Sequence, residues 1–441
     1  MSKKKPAGRC IVTYGRSLIA LEIAHSLAER GVEVIGCDDV DLTVMSFSRD
    51  VKKNFVHAPS ESKPEKFLDD LEKNIRKYKP EDDDVPYVLI PAFRDIQLIA
   101  ENRDRFEPHI QVAGPTADMI SKIHPKQNLA RTAEEVGAHA PRSIEFNDID
   151  GLKAAAEELG YPFLVKPWDG VGGRGVKALK DEEALHAQWK KAAKSYERGG
   201  LAQQLVEGED YCLAVLFQDG ELKAHMAYRN LMKMPAESGA GIMRETIDDA
   251  PFLETAKAVL GAIGWHGVAE IDFRWDGAED TAPAMIEINP RFWMGIFHSI
   301  ESGVDFPWLL YEMTVKGEVP DAPLATVGKR TKAPGVWLLS AIQDIASSDV
   351  HFDEVRKGWK EAYASAKDRK VLDALKKFGG SFGKVTDIES ARKHLKKAME
   401  DADEAQVELF SSRDPFASLG VLFVIASLVR HGKLPPELTH S

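Results

Sequence analysis

The stretch Gly264-Trp265-His266-Gly267-Val268-Ala269-Glu270-Ile271-Asp272-Phe273, followed by Ile286-Glu287-Ile288-Asn289-Pro290-Arg291, decides how this chain is read. Side chains along a β-strand alternate with a period of two. Glu287 and Asn289 therefore share one face, and Ile286 and Ile288 share the other. Asp272 lies on a neighbouring candidate strand with the same alternation. Two carboxylates and a carboxamide on one sheet face make an all-oxygen site suited to a hard cation such as Mg²⁺. Pro290 stops the ladder. Arg291 follows where its planar fork can meet a phosphate or a carboxylate. Alone, this pattern reads equally well as a half-buried strand with an acidic outer face.

Composition narrows the classes. The 441 residues carry 58 Lys and Arg against 70 Asp and Glu, a net charge of −12. An acidic surface attracts neither nucleic acid nor an anionic membrane, so neither is expected as a partner. Cys10, Cys37 and Cys212 fall in apolar, strand-like runs and read as buried thiols of a reducing compartment. No spacing suggests a zinc site. Ser2 to Pro6 is a short polar tail without the apolar segment of a signal peptide. The apolar stretch Ala417 to Val429 is too short to span a bilayer and reads as a buried helix.

Organisation changes along the chain. The start reads as βαβ: strand Arg9 to Tyr14, helix Leu18 to Arg30, a stop at Gly31, and strand Val32 to Cys37. A helix Phe67 to Tyr78, a strand Tyr87 to Ile90 and a helix Ile96 to Arg105 continue the alternation, which predicts a parallel α/β sheet. From about Pro115 the order becomes α+β. Helices cover Ala117 to Ile123 and Lys126 to Val136, and strands Phe163 to Pro167, Leu201 to Val206 and Tyr211 to Gln218. A helix Thr255 to Ile263 precedes the quoted stretch. From about Lys329 the sequence is charged and helical.

A glycine-rich loop, Asp169 to Val176, directly follows Lys166 on a strand. Gly170, Gly172, Gly173 and Gly175 let backbone N–H groups approach phosphate oxygens, and Arg174 adds charge. The loop has no Gly-Lys-Ser/Thr ending, and a strand rather than a helix follows it. It reads as a hairpin flap over a nucleotide. Further on, Gln203 to Asp210 is a strand that breaks at Gly208.

Taken in order, Lys126, Lys166 with its glycine loop, the Gln203–Asp210 hinge, Asp272 and Glu287-x-Asn289-x-Arg291 resemble the ATP-grasp superfamily, most of all its carboxylate–amine ligase branch. The resemblance runs from about Arg9 to Pro320. It implies a Rossmann-like α/β pre-ATP-grasp domain over 1–115 and an α+β two-lobed ATP-grasp domain over 116–328. The small lobe would cover about 140–205, and a helical C-terminal extension 329–441. By the same resemblance Lys126 and Lys166 neutralise ATP phosphates, and Gly170, Gly172, Gly173, Arg174 and Gly175 form the phosphate flap. Gln203, Gln204 and Val206 line the adenine, the last two through their backbone, and Asp210 holds the ribose. Asp272, Glu287 and Asn289 ligate Mg²⁺, for which Mn²⁺ is a substitute. Glu270 stands behind them. Arg291, with Lys166, acts at the transferred phosphoryl group. Arg229, Lys233 and Arg244 match loosely a loop near the acceptor site and are candidates for a substrate carboxylate or phosphate. An ordinary solvated charge is the alternative for each.

The implied function is a cytoplasmic, ADP-forming ligase that joins a small carboxylate to an amine through an acylphosphate, with a homodimer as the implied assembly. Two other readings stay open. The βαβ start with Asp38 or Asp39 suits a nicotinamide oxidoreductase, although Thr13-Tyr14-Gly15-Arg16-Ser17 has one glycine where that fingerprint has three. A nucleotide-binding scaffold without catalysis is the other. Phe292, Trp293, His298 and Trp308, after the metal strand, read as core.

Overall fold

A computed structural model describes residues 6–167, 176–197, 199–234, 240–278, 280–320, 322–332 and 406–407. The chain begins with β1 (Gly8–Val12), α1 (Leu18–Glu29), β2 (Val32–Asp38), β3 (Val51–Val56), α2 (Pro64–Tyr78), β4 (Tyr87–Ile90), α3 (Ile96–Glu101), α4 (Arg103–Phe106) and β5 (Gln111–Val112). All strand pairings in this part are parallel, in the order β3-β2-β1-β4-β5. The Ser17 hydroxyl caps α1 by accepting from the Ile19 N–H, and Gly31 at φ 81° turns the chain back toward β2. In α2, Phe67, Leu71 and Ile75 repeat every four residues and are buried against the sheet.

Two expectations fail here for local reasons. The helix expected over Ile96 to Arg105 is two helices, because the Asn102 side chain donates to the Leu98 carbonyl and caps the first. The strand β3 was missed, since Val51 and Phe55 are its only buried residues and charged side chains lie between them.

The next part contains α5 (Ala117–Ser121), α6 (Lys126–Glu135), β6 (Ser143–Phe146), α7 (Ile149–Leu159), β7 (Phe163–Pro167), β8 (Lys177–Leu179), α8 (Glu182–Ala192) and β9 (Gly200–Gln204). Its four strands pair antiparallel in the order β6-β9-β7-β8. A core of Phe146, Leu152, Phe163, Val165, Leu185 and Tyr196 joins α7 and α8 to this sheet.

A larger sheet follows, formed by β10 (Glu209–Gln218), β11 (Glu221–Met234), β12 (Ala240–Ile247), β13 (Gly267–Trp275) and β14 (Ala284–Asn289). β15 (Arg330–Lys332) and β16 (Gln406–Val407) complete its order, β14-β13-β10-β11-β12-β15-β16. Helix α9 (Ala250–Ile263) covers one face, while α10 (Ile296–Glu301) and α11 (Phe306–Lys316) pack toward α1. Alternation divides the sheet cleanly. Leu213, Val215, Ala227, Ile271, Phe273 and Ile288 enter the core under α9. Cys212, Ala214, Tyr228, Glu270 and Asp272 take the other face.

Residues 229–234 and 240–244, expected as part of a loop, belong to the antiparallel strands β11 and β12. Phe292, Trp293 and His298 are buried core, as expected. Among the described residues no helix is long and apolar enough to cross a membrane. The glycine flap 170–175, the apolar stretch 417–429 and nearly all of 329–441 lie outside the described residues.

Candidate active site

The register of the large sheet builds the site. Asp272 pairs with Glu287, and Glu270 with Asn289. One detail departs from simple alternation. Phe273 is opposite Met285, so Ile286 is the extra residue of a β-bulge. Met285 therefore takes the core position beside Ile288, and Ile286, expected on that core face, lines the cleft instead.

The Asn289 amide nitrogen donates to Asp272 Oδ2 at 3.1 Å, and its oxygen accepts from Arg291 at 3.1 Å. Arg291 also donates to the Phe292 carbonyl at 3.0 Å. The Tyr228 hydroxyl donates to the Glu270 carboxylate. Oxygens of Glu270 and Asp272 and the sulfur of Cys212 lie within 4.8 Å of one another. Burial first, and then the neighbouring Glu270 and Glu287 charges, push the Asp272 carboxyl well above the usual range. A divalent cation among these oxygens would relieve that repulsion, so the donor set fits a hard ion. Glu287 keeps its proton off despite burial, because the Lys126 ammonium lies 3.1 Å away.

Across the cleft stands Lys166, buried on β7. Its ammonium donates to Gln203 Oε1, and the Gln203 amide donates to Ser143 Oγ at 2.9 Å. Burial, and then the nearby Lys126 charge, lower the Lys166 pKa from 10.5 to about 8. Lys126, Lys166, Gln203, Met285 and Ile286 line one cleft, with about 350 Å³ of space that opens to solvent. The sheet carrying Lys166 and the sheet carrying Glu287 thus form its opposing walls.

The other expected residues lie on different elements. The strand expected to reach Val206 ends at Gln204, and Val206 follows it on the connection to β10. The Gln204 N–H already donates to the Arg142 carbonyl at 2.9 Å, so a base contact there falls to its carbonyl. Asp210 opens β10 on the site face, 3.4 Å from Arg274. Arg244 is buried on the same face and donates to the Gly241 carbonyl at 2.7 Å. Arg229 does not join the site. It lies on the opposite face, because it is one residue out of phase with Tyr228, and there it pairs with Glu245, which Arg330 also holds. Lys233 lies opposite Gly241 near the hairpin tip, and its side chain is outside the described residues. Asp38 is buried and accepts from the Arg16 backbone and guanidinium, so it is not free for a ribose.

Sequence reasoning missed His124, Tyr228 and Phe93. His124 lies near Glu287, Lys126 and Arg291, and burial lowers its pKa. Tyr228 was detectable in principle, being in phase with Cys212 across the hairpin. Phe93 follows β4, and its ring centroid lies 4.3 Å from the Arg291 guanidinium.

Gly208 sets the connection between the two sheets. Its φ is 115°, and a Cβ there would lie 2.4 Å from the Trp275 backbone. Gly208→Ala should cost about 2–3 kcal/mol, since neither the backbone nor the dihedral can yield cheaply. Urea denaturation of the two proteins checks this.

Residues 123–294 match the family model described as an ATP-grasp domain. This segment is an ATP-grasp domain. A carbamoyl phosphate synthase large chain, C-terminal section, from Methanopyrus kandleri is 27% identical over 194 residues, covering 42% of this chain and 36% of its own. Biotin carboxylase 1 of Bacillus subtilis is 26% identical over 216 residues, covering 44% and 47%. The chain thus spans less than half the length of these two relatives. Among solved structures, a Campylobacter jejuni biotin carboxylase superposes with a TM-score of 0.59 at 17% identity, covering 73% of this chain and 74% of that one. N5-carboxyaminoimidazole synthetase of Staphylococcus aureus, complexed with ADP, gives 0.57 at 18%, covering 75% and 82%. At these identities the structural likeness speaks for the fold.

Proposed function

We propose that this protein is an ATP-dependent ligase that joins a carboxylate to an amine and releases ADP and phosphate. One observation carries the reading: Lys126 and Lys166 line a cleft beside the β14 strand, where Glu287, 3.1 Å from Lys126, pairs with Asp272 and precedes Asn289 and Arg291, all within an ATP-grasp domain. Two ammonium groups next to a hard-cation donor set suit a metal-bound polyphosphate. Relatives named as carbamoyl phosphate synthase and biotin carboxylase support the same class.

Phosphoryl transfer needs chiefly positioning and charge neutralisation. Lys126 and Lys166 meet the phosphates, while Gln203, Gln204 and Val206 flank the base and Asp210 the ribose. Asp272, Glu287 and Asn289 would hold Mg²⁺, or Mn²⁺ in its place, and the ion would offset phosphate charge when bound. The substrate carboxylate attacks the γ-phosphorus, the bond to the β-phosphate oxygen breaks, and ADP leaves. Arg291 steadies the charge on the transferred group. The amine then attacks the acyl carbon, the acyl–oxygen bond breaks, and phosphate leaves with the former carboxylate oxygen. Arg244, on the site face, is the better placed of the candidate contacts for the acid, with Lys233 as a second.

A screen of small carboxylates and bicarbonate crossed with amines, read by ADP release, tests this reading. At least one pair should release ADP only when Mg²⁺, acid and amine are all present. Release of AMP and pyrophosphate, or none for any pair with MgATP bound, would refute it.

Lys166 adds a pH dependence. Its folded pKa of about 8 lies below the ordinary 10.5, so the folded state binds fewer protons between those values. Its burial penalty is complete below pH 8 and relieved as pH rises toward 10.5. Phosphate nearby restores the charged form. Binding of MgATP should therefore take up a proton above about pH 8 and weaken as pH rises further. Calorimetry in buffers of different ionisation enthalpy should show this uptake, and Lys166→Met should remove it.

A further inference from the structure

The described residues hold an unbroken aromatic path from the N-terminal sheet to the site. The Arg291 guanidinium lies 4.3 Å from the centroid of the Phe93 ring. Phe93 is 6% exposed, and its ring packs on Tyr14 with centroids 5.4 Å apart. Arg16 stands over the other ring at 5.3 Å and is tied to Asp38 and Asp39. Tyr14 adopts φ 59°, a left-handed backbone that few bulky residues accept. The chain keeps this strain while directing Tyr14 at Phe93, which suggests a constraint beyond folding.

Arg291 otherwise has two described partners, the Asn289 amide oxygen and the Phe292 carbonyl. Both hold the fork from one strand and its continuation. The Glu270, Asp272 and Glu287 carboxylates also attract it, but none of these groups offers a flat surface to the planar fork. Phe93 packs its ring against the guanidinium from outside that strand, on the connection after β4 and outside residues 123–294 of the ATP-grasp domain.

The geometry points to Phe93 as a positioning residue for Arg291, supplied by the N-terminal α/β part to the phosphoryl-transfer site. This rests on the ligase reading above for the role of Arg291. The ring face attracts the guanidinium electrostatically without competing for its N–H donors, so the fork stays available to an incoming phosphate or acylphosphate. A flat, buried platform also removes rotamer freedom that would otherwise have to be lost in the transition state.

The test uses the full chain with Phe93→Leu, Phe93→Tyr and the pair Phe93→Leu/Arg291→Lys. With an active acid–amine pair, Phe93→Leu should lower ATP turnover about tenfold through kcat, as a partly desolvated cation–π contact is worth. The KM for ATP should hold. Phe93→Tyr keeps a ring and should restore most of the rate. The double variant should fall little below Arg291→Lys alone, because both changes remove one arrangement. An unchanged kcat in Phe93→Leu, a Tyr variant as slow as Leu, or fully additive losses would each overturn the assignment. The side-chain N–H resonance of Arg291 gives a readout independent of activity. It should lie upfield in the wild type and move downfield in Phe93→Leu, with no change meaning that the platform does not exist. If the wild type binds MgATP but turns over no pair, the ligase reading falls, and this resonance alone decides the platform.

Discussion

Glu287→Gln should leave the fold intact and lower ATP turnover by roughly a hundredfold or more, the scale on which a site loses a charge-stabilising group. The change is nearly isosteric, but it removes a charge that two neighbours use. Lys126 sits 3.1 Å from Glu287 and loses its ion-pair partner. The hard-cation set loses one of its two facing carboxylates, Asp272 and Glu287. Glu287 also helps to raise the Asp272 carboxyl, so its neutralisation relieves repulsion there. The lost Lys126 pair and the relief at Asp272 oppose each other, so the variant should melt within about 5 °C of the wild type while losing activity. Paired thermal melts and steady-state turnover separate the two effects. A turnover close to wild type would remove Glu287 from the metal set.

Arg291→Lys should also lower turnover by about two orders of magnitude, although it keeps the charge. Arginine at this position bridges the Asn289 oxygen, the Phe292 carbonyl and the Phe93 ring at once. A lysine ammonium offers no planar fork for a tetrahedral or trigonal phosphoryl group, and it stacks less well on a ring. Nucleotide affinity should change little, since Lys126 and Lys166 still line the cleft and supply its phosphate-binding charge. Fluorescent-nucleotide titration beside single-turnover kinetics measures both quantities. A loss confined to affinity would place Arg291 on the bound nucleotide and away from the transferred group.

The parts of this architecture legible in the sequence were those with a strong period. The β1–α1–β2 unit showed an apolar strand, a capped amphipathic helix and a glycine stop. The shared face of Glu287, Asn289 and Asp272 was legible because side chains along a strand alternate with a period of two. The bulge at Ile286 was not, because a register shift depends on the partner strand and leaves local composition unchanged. The β11–β12 hairpin was read as a loop, since charged residues such as Arg229 and Glu245 sit where a core pattern was sought. They lie there because they pair with each other across strands. Phe93 was invisible for a different reason: its contact with Arg291 spans nearly two hundred residues of sequence and joins two connections outside any strand.

The central claim is that a carboxylate is activated by phosphorylation in the cleft between Lys166 and Glu287. Oxygen transfer measures this directly. The acid identified by the crossed screen, labelled with ¹⁸O in its carboxylate, is turned over with MgATP and its amine, and the phosphate released is analysed by mass spectrometry. An acylphosphate route places one labelled oxygen in each phosphate. Phosphate without label would mean that water, or another nucleophile, takes the phosphoryl group, and would contradict the mechanism.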